Sequence, residues 1–247
     1  MHDSRVESRR LLSVFELLGA LSTGGQPEKG RRNLKRYLDT FDELRDTHVQ
    51  LMFVAAQVGD FPGLRSFRDA LRKRERRCIK CTAGEIRRIK VGSLRRSIRA
   101  MEEELRSPPR GASRTQLRPS RLVRVLQQAF TRVERQHRRV APDDTASIHR
   151  VRIAFKRFRY MIEAVAPLLP GASQRHLERL RKFQSLMGEI QDTEVLLATV
   201  ERFQNNGKLD SLIAAAFRVQ LLHRRRRFIG AYLKQAGHLR KFWPLPD

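Results

Sequence analysis

A histidine followed by cations at helical spacing occurs twice along this chain. On a helical wheel advancing about 100° per residue, His149, Arg152, Lys156 and Arg159 fall inside an arc of roughly 80°. His2, Arg5 and Arg9 repeat the arrangement near the start. Phe155, Phe158, Ile162, Val165 and Leu169 gather on the other side of the later helix, as Leu11, Phe15 and Leu18 do on the earlier one. Each helix therefore pairs an apolar side with a nearly pure cationic stripe. The acids that neutralise an exposed helix face through i, i+4 pairs are missing from it. Cations so spaced repel unless something negative sits between them, so the chemistry expected is anion binding.

The composition agrees. Among 247 residues, 52 Lys and Arg face 26 Asp and Glu, a formal charge of +26. Such self-repulsion is relieved by a polyanion: nucleic acid, an anionic membrane, a heparin-like glycan or polyphosphate. Arg is used far more than Lys, and its planar fork grips phosphate oxygens two at a time. Aromatics are only 7% of residues, too few for base-stacking platforms, so phosphate rather than bases is the expected ligand. A flexible chain of phosphates fits paired cationic stripes.

Other chemistries lack their residues. Glu102-x-Glu104-x-Arg106 matches the pattern that triphosphate tunnel enzymes carry on a strand, but here it ends a helix. Cys78-x-x-Cys81 has no second ligand pair for zinc and no βαβ context for redox work. Phosphate-loop, nucleophile-elbow and carboxylate-cluster patterns are not found. Neither catalysis, a metal nor a cofactor is expected. Two cysteines point to a reducing compartment, no apolar run reaches membrane-span length, and the N-terminus lacks a leader's apolar region, so cytoplasm is expected.

The elements that position these residues read as helices throughout, because period-3.6 patterns alternate with breaker clusters. Expected helices cover about 2–20, 30–58, 64–106 (bent near Gly84 or Gly92), 115–139, 145–169, 173–205 and 210–235. Three stretches then match in order, the second in two parts. His2-x-x-Arg5-Val6-x-x-Arg9-Arg10 matches His149-x-x-Arg152-Ile153-x-x-Lys156-Arg157. Leu34-Lys35-Arg36-Tyr37 and Glu43-Leu44-Arg45-Asp46-Thr47 match Leu180-Arg181-Lys182-Phe183 and Glu189-Ile190-Gln191-Asp192-Thr193. Phe67-Arg68-x-x-Leu71-x-x-Arg74 matches Phe217-Arg218-x-x-Leu221-x-x-Arg224. The expectation is one domain over 1–247 made by tandem duplication: a first repeat at 1–106, a linker at 107–115 and a second repeat at 116–247. The first repeat has no counterpart of the helix at 115–139, so its start is expected to be displaced or truncated.

These paired His helices, followed by Gly188-Glu189-Ile190-Gln191-Asp192-x-x-Val195, resemble the CHAD family, the conserved histidine α-helical domain, over essentially the whole chain. The resemblance implies an all-α fold of two helical bundles related by a pseudo-two-fold, with a basic central cleft. It also implies non-catalytic binding of inorganic polyphosphate and association with polyphosphate granules. On that likeness His2, Arg5, Arg9, Arg10, His149, Arg152, Lys156, Arg157 and Arg159 carry binding. Lys35, Arg36, Arg68, Arg181, Lys182 and Arg218 come second. In the run behind His223, Arg224 and Arg227 are preferred because they have counterparts in the first repeat. Three departures mark unequal halves: Gln191 where the family has Arg, Asp42 opposite Gly188, and Leu12 opposite Arg159. Sequence-independent nucleic-acid binding stays open beside this reading, as does an adaptor that recruits a polyphosphate enzyme. No membrane partner is expected, and protein partners stay unassigned.

Overall fold

Helix signals translate directly into helices in the computed structural model, which describes residues 2–21, 26–88, 91–106 and 119–245. The expected all-α fold is what the chain has, and the described residues contain no strand. In chain order the helices are α1 (His2–Leu21), α2 (Gln26–Asp39), α3 (Asp42–Gln57), α4 (Arg65–Arg88), α5 (Val91–Arg106), α6 (Pro119–His137), α7 (Thr145–Val165), α8 (Gln174–Asn205) and α9 (Ser211–Ala236). Breakers act where expected. Gly171 and Gly207 take φ of 79° and 64° in the turns before α8 and α9, a region closed to most side chains. Asp210 caps α9, its Oδ1 accepting from the Leu212 N–H at 2.9 Å. The expected linker at 107–115 lies outside the described residues.

One expected helix is two. The stretch 30–58 breaks at Thr40–Phe41, with no Gly or Pro to announce it. The break drops Phe41 into the interior at 5% exposure. The Phe41 carbonyl then accepts the Arg45 N–H at 2.9 Å, opening α3. Thr82 Oγ1 donates to the Thr40 carbonyl at 3.3 Å, satisfying a group the ended helix releases. Asp42 and Glu43 supply the acids a helix start prefers. The stretch 64–106 likewise divides into α4 and α5.

The described residues form two compact units, and neither coincides with the linear division at 107–115. Unit 1 comprises Met1–Asp39, Ile89–Gln184 and Ala236–Asp247; unit 2 comprises Thr40–Arg88 and Ser185–Gln235. Each unit takes matched segments from both halves of the chain. The Leu34 and Leu180 segments fall in unit 1, and the Glu43, Glu189, Phe67 and Phe217 segments in unit 2. α8 contributes to both.

Within unit 1, α1 packs on α2, α6 and α7, α6 on α7, and α2 on α5. Its core is aromatic: Phe155 meets Phe183 edge-on at 4.8 Å and Phe242 at 5.5 Å, with Trp243 against Phe158 at 6.0 Å. Trp243 donates its indole N–H to Gln127 Oε1 at 2.6 Å. Unit 2 is built on matched residues, since Phe67, Leu71, Phe217 and Leu221 are all fully buried in one cluster.

Candidate functional site

α7 starts under firm local control. Asp144 caps it by accepting the Ala146 N–H at 2.9 Å, while its other oxygen holds Arg150 at 3.2 Å. His149, Arg152 and Lys156 follow on successive turns, half-buried, with Arg157 exposed. Arg159 departs from the expected stripe, being only 7% exposed. Its Nε donates to Gln184 Oε1 at 2.6 Å and its Nη1 to Glu163 Oε1 at 2.7 Å. The guanidinium lies 4.1 Å from the centroid of the Tyr160 ring. Glu163 is itself buried and accepts a second bond, from Arg181 Nε at 2.9 Å. A wheel gives the angle of a residue around its helix but not its depth in the fold. From Phe158 to Ile162 α7 is buried on every side, so a stripe open at its start closes before Arg159.

The second His helix is its neighbour. α1 packs against α7, and Arg157 of α7 donates to Glu16 of α1 at 2.6 Å. Arg5 is buried, Arg9 is half-buried, and Arg10 is held by Glu7 at 2.6 Å. His2 lies on α1, and its side chain is outside the described ones. Lys35 and Arg36 on α2 and Lys182 on α8 are exposed and make no ion pair among the described residues. Every cation expected to bind except Arg68, Arg218, Arg224 and Arg227 therefore belongs to unit 1.

Those four lie in unit 2. Arg68 pairs with its neighbour Asp69 at 2.9 Å, and Arg218 is exposed. Arg224 pairs with Glu189 and stacks 4.7 Å from the Phe53 ring centroid, while Arg227 stands 5.2 Å from that of Phe228. Matched residues make matched contacts here. Arg74 meets Glu43 at 3.0 Å as Arg224 meets Glu189, and His48 meets Glu75 at 2.7 Å where Glu194 meets Arg225 at 2.8 Å. Asp192 and Asp46 both bind Arg45, which reaches the two Asp192 oxygens at 2.8 and 3.0 Å and Asp46 at 2.8 Å. Burial works against the Arg45 charge, but the two carboxylates outweigh it and its pKa is raised.

Sequence reasoning missed Glu16 and Glu163, the acids that hold the arginines of α7. A signal existed, since both follow the matched His helices at the same place. Cys78 is buried with Thr47 Oγ1 3.9 Å from its sulfur, and Cys81 is exposed and free. Among the described residues no three His, Cys, Asp or Glu side chains gather as a metal site, and no helix is long and apolar enough to cross a membrane. The backbone at Glu102–Arg106 is helical, which excludes the strand a triphosphate tunnel needs.

The CHAD domain family model matches residues 1–201. The chain belongs to the CHAD domain family. Among solved structures it is similar to the CHAD domain from the plant Ricinus communis, with a TM-score of 0.73 at 22% identity, covering 100% of this chain and 82% of the plant one. At that identity the likeness speaks for the fold. No curated protein matches the sequence.

Proposed function

We propose that this CHAD domain binds inorganic polyphosphate electrostatically and catalyses nothing. The observation that carries the reading is the packing of α1 on α7. Both His-headed helices belong to one unit, so Arg9, His149, Arg152 and Lys156 sit on a single helix pair rather than in separate bodies. Lys35, Arg36 and Lys182 add exposed charge to that unit. A phosphate polymer contacts many such groups at once, and multivalency along it supplies most of the affinity. Binding falls steeply with salt as counterions are released. Attachment to polyphosphate granules in the cytoplasm belongs to the same reading. The contacts repeated between matched segments support a tandem duplication as the origin of the two His helices.

The test is competition at physiological salt between labelled long-chain polyphosphate and duplex DNA or RNA. Wild type is expected to prefer polyphosphate, and Arg152→Ala/Lys156→Ala to lose at least tenfold in affinity for it. Equal competition by nucleic acid together with an unchanged variant would reduce the stripes to general surface charge.

A further inference from the structure

Unit 2 carries two adjoining depressions that share Phe53 and Arg224. One, of about 300 Å³, is lined by Val49, Leu196 and Leu221, with Gln50 in its wall and the arginine-paired carboxylates Glu189 and Asp192 along its side. The other, of about 460 Å³, is edged by His223, Arg224 and Arg227. Both are in the size range of small-molecule sites, and an apolar floor beside a few convergent polar groups is the usual design of such a site.

Gln50 is the residue that needs explaining. It is only 4% exposed, and its Oε1 has no hydrogen-bond partner among the described residues. Its counterpart in the matched segment is Leu196, an apolar residue that lines the same depression. A buried amide with an unsatisfied oxygen is a cost that an apolar residue avoids. Half a turn of its last torsion offers either a donor or an acceptor to the depression. A glutamine amide pairs in two bonds with the N6/N7 edge of adenine, which presents one donor and one acceptor. Phe53 offers a ring against which a flat base can lie. Arg224 is held in place by Glu189 and by stacking on Phe53, so it meets an anion already ordered. His223 and Arg227 extend the positive edge from there.

We propose that this groove binds an adenine nucleotide, the base in the smaller depression on Gln50 and the phosphates at Arg224, Arg227 and His223. The site is distinct from the α1–α7 helix pair and does not depend on the polyphosphate reading.

Calorimetry at one fixed salt concentration compares ATP, GTP and inorganic triphosphate on the whole chain. ATP is expected to bind at least tenfold tighter than triphosphate, and tighter than GTP. Gln50→Leu, which copies the matched residue, is expected to erase the ATP advantage and leave triphosphate binding unchanged. Should that variant melt early, Gln50→Glu keeps the size, removes the amide donor and is read the same way. Arg152→Ala/Lys156→Ala is expected to keep ATP binding while losing polyphosphate. Equal affinity for ATP and triphosphate, or an ATP advantage that survives loss of the Gln50 amide, overturns the proposal. Failure of polyphosphate to bind at all would overturn only the other reading.

Discussion

α1 has Leu12 where α7 has Arg159, and that one difference decides what the glutamate one turn later does. In α7, Glu163 is taken up by Arg159 and Arg181 inside unit 1. In α1 the nearby arginine is missing, so Glu16 reaches across to Arg157 and ties the two helices together. The same pattern thus yields an internal ion cluster in one helix and a bridge in the other. A comparable asymmetry runs through the paired motif in unit 2. Arg45 serves both Asp46 and Asp192, because the residue matched to it is Gln191. The matched segments are alike in pattern, and single differences between them divide their work.

Breaking the α7 cluster should have the largest effect. Glu163→Ala leaves Arg159 buried without its counter-charge and is expected to cost about 3–5 kcal/mol, whereas Glu16→Ala should cost about 1, since Arg157 can turn to water. Urea denaturation measures both, and equal losses would erase the contrast between the helices. Next comes Asp192→Asn, expected to remove about 2 kcal/mol by taking two charged hydrogen bonds from Arg45, with Asp46→Asn losing less than half of that. Thermal melts of the two single variants rank them, and the reverse order would mean that Asp46 is the principal partner.

The smallest effect sharpens a third matched position. Gly30 of α2 stands four residues before Leu34 as His176 of α8 stands four before the matched Leu180, and a β-carbon at Gly30 would run into the Phe15 ring. His176 is buried, and burial, with Arg179 adding to it, holds its pKa below the ordinary 6.5. The unfolded chain therefore takes up this proton more readily than the folded one. The stability that neutral His176 contributes is complete above pH 6.5 and is lost as the pH falls through the depressed folded value. Melting temperature should decline as the pH falls below 6.5, and His176→Gln should flatten the decline. A wild-type curve that the substitution does not change would dissociate His176 from the effect.

Much of the fold was legible. Period and breakers place α7 within a few residues, because those signals act over one or two turns. The break at Thr40–Phe41 was not legible, since it is made by Phe41 entering a core and by Thr82, far along the chain, satisfying the freed carbonyl. The C-terminal Phe242 and Trp243 likewise carry no local pattern, and only the fold brings them onto Phe155 and Phe158.

By itself the sequence determined an all-helical chain, its charge, its matched segments and its family, all of which follow from residue type and spacing. Tertiary structure decided how the chain divides: each unit draws matched segments from both ends of the chain. It also decided which cations face solvent. Arg152 and Arg159 are alike in type and share one stripe on the wheel. They differ in depth, which depends on the helices packed around them. Burial forces a charge to find a partner inside, so Arg159 went to Glu163 and left the surface.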